Sequence, residues 1–259
     1  MSKRQKFILT SILLSAGFLA VQLSDIPWRY EAIAGLAGLS ILFFIFSLWE
    51  GLDFRSRPAT LLTLTLPVLF TAGVGLFYFL LPSKPLARLP VFILYGIGIY
   101  ALSLTGNIFT VAAIRTIQLA RAARAVNFVL TLLTAFFIFD TIWSFRLPFY
   151  FNAALICLTS FPLFLQGIWS TQLEEKISHD VWLHSVVSTL SLTQIALILS
   201  FWPVSVVIAS LCLTTGIYVT LGLTEAKLTG RLFAKTVREH LFFGGIFLLI
   251  VLLTTTWTG

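Results

Sequence analysis

Nine apolar runs of about 17 to 23 residues, separated by short connections, constrain this chain more than any other feature. A run of that length crosses bilayer hydrocarbon as an α-helix, and helices satisfy every backbone group without water. The runs cover residues 7–23, 32–49, 59–81, 90–113, 126–143, 149–169, 184–202, 204–223 and 241–258. The longest connection, 224–240, leaves no room for an inserted soluble domain. Only 10% of the residues are charged, against about a quarter in soluble domains, so a single soluble core cannot account for so much apolar surface. The fold class is therefore all-α: a polytopic transmembrane helical bundle forming one integral membrane domain over residues 1–259.

The net charge of +7 would point to nucleic acid in a soluble chain. Here it is a topology signal, because Lys and Arg collect on the cytoplasmic side. With the N-terminus in the cytoplasm and the C-terminus outside, thirteen of the 17 basic residues fall on the cytoplasmic side. Arg29, Lys84, Arg88 and Arg146 fall outside. The start, MSKRQK followed by an apolar run from Phe7, reads as a retained first span rather than a cleaved signal. Six of the seven tryptophans lie at or within two residues of an expected span end, and Trp28 lies four residues before the second span; headgroups there satisfy both the ring and its N–H. Cys157 and Cys212 fall inside spans and read as packing residues.

The centre of the chain, 107–127, reads NIFTVAAIRTIQLARAARAVN. Arg115, Gln118, Arg121 and Arg124 recur every third residue, and no Gly or Pro occurs from Asn107 to Leu147. Without turn residues, charge is the main device that keeps this connection out of hydrocarbon. Arg115, Arg121 and Arg124 are expected to extend a span as a basic helix at the cytoplasmic headgroups. A voltage-sensor reading lacks any accompanying pore element. The segment NIFTVAAIRTIQLARAA resembles an uncharacterised multi-pass bacterial membrane family, a domain of unknown function. The resemblance centres on the fourth and fifth spans. It implies an inner-membrane protein and transfers no activity, ligand or site.

Several residues carry candidate chemistry. Asp140 is the single acidic residue within an expected span, where a carboxylate can mark a proton or ion pathway; three residues from Trp143, within reach of headgroup water or Arg146, it reads instead as a member of an interfacial ion pair. Ser185, Ser188, Ser191 and Gln194 make the seventh span the most polar, suited to helix packing or to lining a cavity. Glu175 with His179, and Asp180 with His184, stand at i,i+4 and would face each other on a helix, though five residues of offset put the pairs on different faces. A solvated loop fits them better than a catalytic set or metal site. Gly35, Gly38, Gly73, Gly75, Gly96 and Gly98 offer close helix approach, within the chain or to a protein partner or second copy. Pro67 and Pro162 lie mid-span, where they kink helices or mark functional breaks.

The sequence contains no nucleophile turn, zinc-protease pair, phosphate loop or potassium filter, and no aspartate run for magnesium pyrophosphate. No cofactor, metal or nucleic-acid partner is expected, and membrane lipids are the expected surroundings. Three roles follow: a transporter-like or lipid-handling protein, a non-catalytic scaffold, or an enzyme using the Glu175, His179, Asp180 and His184 set.

Overall fold

A computed structural model describes residues 2–23, 28–49, 57–82, 84–112, 119–174 and 176–255, with the side chains of 57–60 and 85 left out. Nine helices and no strand occur among them. They are α1 (Lys3–Leu23), α2 (Arg29–Leu48), α3 (Arg57–Tyr78), α4 (Pro85–Ala112), α5 (Ala120–Ser144), α6 (Phe149–Gln172), α7 (His179–Ser200), α8 (Val206–Leu228) and α9 (Ala234–Thr254). All nine are long and apolar enough to cross a membrane. The protein is a multi-pass helical membrane protein.

Many hydroxyls inside the helices bond back to their own backbone, which removes most of the penalty of placing them in hydrocarbon. Thr134 Oγ1 donates to Leu130 O at 2.7 Å, Thr141 Oγ1 to Phe137 O at 2.8 Å and Ser185 Oγ to Val181 O at 2.7 Å. α3 continues through Pro67 and α6 through Pro162 as single helices.

Several helices outrun the apolar runs because polar residues at a membrane surface can still be helical. α5 begins six residues before the apolar run at 126, which places Arg121 and Arg124 on its first two turns. α7 begins at His179, five residues before its run, because Ser178 is a good N-cap: its Oγ accepts from Val181 N at 3.4 Å, and Asp180 sits in the first turn. α8 ends in a Schellman motif, with Arg231 N donating to Ala226 O at 2.8 Å and Gly230 N to Lys227 O at 3.1 Å. Gly230, at φ 67°, supplies the left-handed residue that this motif needs.

The chain falls into two compact units, 1–134 with 173–176, and 135–172 with 177–259. In the first, α1 to α4 pack around Phe18, Phe70 and Tyr95, all fully buried. Phe18 stacks on Tyr95 with ring centroids 4.5 Å apart, and Phe70 stacks on the same ring at 6.0 Å. Polar contacts also cross between these helices: Ser11 Oγ donates to Gly96 O at 2.8 Å, Gln22 Nε2 to Gly75 O at 3.4 Å, and Thr71 Oγ1 lies 3.3 Å from Tyr95 Oη. Glycines make these approaches possible. A Cβ on Gly75 would strike Ile33, and one on Gly98 would overlap the Phe70 ring.

In the second unit α6 packs most extensively on α7, and α8 bridges α6, α7 and α9. Buried Phe164, Leu192, Ala196, Leu213 and Ile217 form its core. Trp169, three residues before the end of α6, is part of that core at 1% exposure.

Candidate functional site

At one end of the second unit α5 and α7 finish while α6 and α8 begin, and the two connections are short: 145–148 and 201–205. Four helix ends that meet without long loops leave a cavity of about 530 Å³. Trp143, Arg146, Leu147, Phe149, Asn152, Ser200, Val204, Ser205 and Val206 line it. Polar and apolar groups alternate around it, and the Phe149 ring continues into the exposed Phe201 at a centroid distance of 5.2 Å.

Arg146 occupies an unusual backbone position. After α5 ends at Ser144, the Arg146 N–H donates back to Trp143 O at 3.2 Å with φ at 50°. Glycine usually fills this left-handed position after a helix; an L-residue costs about 1–2 kcal/mol there. Pro148 two residues on prevents the helix from continuing, and its carbonyl accepts the first bonds of α6, from Phe151 N and Asn152 N. A strained, exposed cation at a cavity rim is more informative than one on a free surface.

Two buried polar atoms of the lining residues, Trp143 Nε1 and Asn152 Oδ1, have no hydrogen-bond partner in the protein. Asn152 is 4% exposed and its Nδ2 donates to Leu147 O at 3.1 Å, so its amide is fixed with the acceptor oxygen left over. Ser205 is the N-cap residue of α8, but its side chain makes no capping bond. The N-terminal ends of α6 and α8 carry partial positive charge, the C-terminal ends of α5 and α7 partial negative charge, and the four offset one another. Arg146 is therefore the charge left at the rim.

One helical turn from the rim lies Asp140, on the same face of α5 as Trp143. It is 5% exposed, and Oδ1 accepts from Ser210 Oγ on α8 at 3.1 Å. No ion pair with Arg146 forms, contrary to the sequence expectation. Arg146 stands six residues along the chain, beyond the end of α5, where the left-handed turn takes it off the helix.

The other sequence candidates are dispersed. Ser185 and Ser188 are buried within the second unit, Ser191 is partly exposed and Gln194 is exposed; none of the four borders this cavity, to which α7 contributes Ser200. His184 lies between two groups: with Nδ1–H donating to Asp180 O at 2.7 Å, Nε2 accepts from Lys227 Nζ at 3.0 Å. It thus pairs with α8 rather than with the Asp180 carboxylate. Glu175, and with it the Glu175–His179 pair, and Arg115 lie outside the described residues. Among the described residues no three His, Cys, Asp or Glu side chains converge. Arg121 is exposed and Arg124 half-buried at the start of α5. Of the six glycines, Gly75, Gly96 and Gly98 are used in packing within the first unit and Gly73 is buried there; Gly35 and Gly38 are exposed with nothing within 4 Å.

A family model, DUF5656, described as a protein of unknown function, matches residues 32–254, a stretch that reaches from α2 to the end of α9. The chain belongs to the DUF5656 family. No curated protein and no solved structure matches it. The DUF5656 match takes in every residue of the cavity, along with Asp140 and Ser210.

Sequence reasoning missed Asn152, Ser205 and Ser210 as site residues. A signal for the cavity was present in FRLP, 145–148, where a basic residue holds a place suited to glycine just before a Leu-Pro pair. Nothing local announces Asn152 or Ser210, whose importance depends on which helices meet.

Proposed function

We propose that this DUF5656 protein is a lipid-handling, transporter-like protein of the bacterial inner membrane, built as a single integral membrane domain. Its cavity takes the headgroup of an anionic amphiphile. The observation that carries this reading is the 530 Å³ cavity whose rim combines the strained Arg146 with two unpartnered buried polar atoms, Trp143 Nε1 and Asn152 Oδ1. A phosphate oxygen would accept from Arg146 and from the indole N–H, a charge-assisted arrangement stronger than a neutral pair. A hydroxyl or ammonium on the same headgroup would donate to Asn152 Oδ1. Phosphatidylglycerol carries a phosphate anion together with such hydroxyls. The apolar lining from Leu147, Phe149, Val204 and Val206 suits the glycerol backbone and upper acyl carbons.

The positive-inside bias puts this end outside the cytoplasm, and Arg115, Arg121 and Arg124 at the opposite, cytoplasmic headgroups. Native mass spectrometry of the full-length protein released from membranes tests the reading. Wild type should retain a phospholipid that the double variant Arg146→Gln with Asn152→Leu loses. Equal retention by both proteins would refute it. A scaffold role has one observation in its favour, the open Gly35 and Gly38 on α2, where a second helix could approach.

A further inference from the structure

Within the second unit, Asp140 and Ser210 form a buried polar pair just inside the cavity end. Asp140 is three residues from Trp143 and Ser210 four from Val206, so they stand roughly 4.5 and 6 Å along the helix axes from rim residues. Ser210 Oγ has three acceptors within reach: Val206 O at 2.8 Å, Val207 O at 3.1 Å and Asp140 Oδ1 at 3.1 Å. Its single hydrogen can serve one direction at a time. When it points to Asp140, the pair suits a carboxylate. When it turns to the Val206 carbonyl, Ser210 Oγ becomes an acceptor, and the pair suits a carboxylic acid that donates to it. The same geometry thus holds both protonation states, and a hydroxyl rotation interconverts them.

The surroundings contain little else that titrates. α6 carries no Asp, Glu, Lys, Arg or His, only Tyr150 at its start and Cys157 further in. On α7 the titratable groups are His179, Asp180 and His184, all at the opposite end. α8 has Cys212 near Ser210, with Tyr218, Glu225 and Lys227 towards the far end. The charged residues of α9, Lys235, Arg238 and Glu239 with His240, stand in its first half, next to where α8 finishes. Arg146 is the one cation at the cavity end among the described residues of this unit.

We infer that Asp140, with Ser210 as its hydrogen-bond switch, is a proton-accepting site coupled to the cavity, so that an anionic headgroup bound there is accompanied by proton uptake on Asp140. This rests on the headgroup reading above. An anion placed near a carboxylate in a poorly screened site raises the energy of the charged form, so a proton from bulk water joins the carboxylate to give a neutral acid. Linkage makes the effect reciprocal: protonated Asp140 binds the anion more tightly, and affinity rises as pH falls through the titration of Asp140.

Dihexanoylphosphatidylglycerol, with dihexanoylphosphatidylcholine as the zwitterionic control, can be titrated into the full-length protein in zwitterionic detergent. Calorimetry in buffers of different ionisation enthalpy gives both affinity and protons taken up. Wild type should bind the glycerol lipid about tenfold more tightly in mildly acidic than in mildly alkaline buffer, with proton uptake on the alkaline side. Asp140→Asn should bind it with little pH dependence and no uptake. PH-independent binding by wild type, or the same uptake by Asp140→Asn, overturns the coupling and leaves the cavity reading standing. Absence of binding at every pH overturns both. If Asp140→Asn does not accumulate as folded protein, the infrared C=O band of carboxylic acid in wild type decides. Growth of that band on lipid addition at fixed alkaline pH supports the coupling, and an unchanged band refutes it.

Discussion

Replacing Arg146 with glycine should move stability and lipid binding in opposite directions. At φ 50° the arginine backbone is in the left-handed region, which costs an L-residue about 1–2 kcal/mol and glycine almost nothing. Glycine gives back about 0.5–1 kcal/mol through the greater freedom of the unfolded chain. The expected net gain is thus up to about 1.5 kcal/mol. Loss of the cation acts on binding instead. A single charge near a headgroup contributes about 1 kcal/mol, and a hydrogen bond to a charged group about 1.5–3 kcal/mol. Because Arg146 is exposed, solvent screening favours the lower part of that span. A loss of about 1–3 kcal/mol corresponds to roughly 5- to 150-fold in Kd. Arg146→Lys keeps both the strain and the charge, so its stability should match wild type and its affinity should fall only a few-fold. Thermal unfolding in lipid nanodiscs, together with phosphatidylglycerol binding, reads both quantities on the same samples. An Arg146→Gly protein that melts lower than wild type would refute the strain argument. One that binds the lipid as tightly as wild type would refute the electrostatic one.

Three further outcomes can be checked directly. Gly98→Ala would push a methyl into the Phe70 ring, which is itself stacked on buried Tyr95, so it should cost about 1–3 kcal/mol in unfolding; Gly35→Ala, with open space around it, should stay within about 0.5 kcal/mol of wild type. In a background with Cys157 and Cys212 replaced by Ser, a cysteine at Lys84 should react with an impermeant maleimide on intact cells, and one at Lys176 only after permeabilisation; the reverse pattern would invert the threading. Replacing Arg115, Arg121 and Arg124 together by Gln should disturb the orientation of α4 and α5, whereas single replacements should be tolerated, since each arginine contributes about 1 kcal/mol near an anionic surface. Accessibility of cysteines at these positions that switched sides with membrane potential would refute the headgroup assignment.

The sequence alone determined the nine helices of the described residues and their approximate places. Hydrocarbon accepts only backbone whose hydrogen bonds are internal, so the length of an apolar run is nearly a statement of structure. Helix ends were less legible, although the signals were present: Ser178 followed by Asp180 caps α7, and Gly230 closes α8. These signals are local, as is the conflict between Arg146 and its backbone position.

Tertiary structure decided the rest. Spacing could put Asp140 near a helix end, but only the packing of α5 in the second unit brings its carboxylate to Ser210, 70 residues away. Ser185, Ser188, Ser191 and Gln194 form the most polar strip in the sequence, yet this cavity is lined instead by Asn152 of α6, Ser200 of α7 and Ser205 just before α8. Gly75, Gly96 and Gly98 look no different from Gly35 and Gly38 in sequence; which of them a neighbour fills depends on which helices touch. In lipid, helix faces are chosen by shape and by scattered hydrogen bonds rather than by hydrophobicity, because hydrocarbon is as apolar as the side chains. The pattern of apolar residues therefore specifies spans strongly and their mutual arrangement weakly, and a site assembled from the ends of four helices becomes visible only once they are packed.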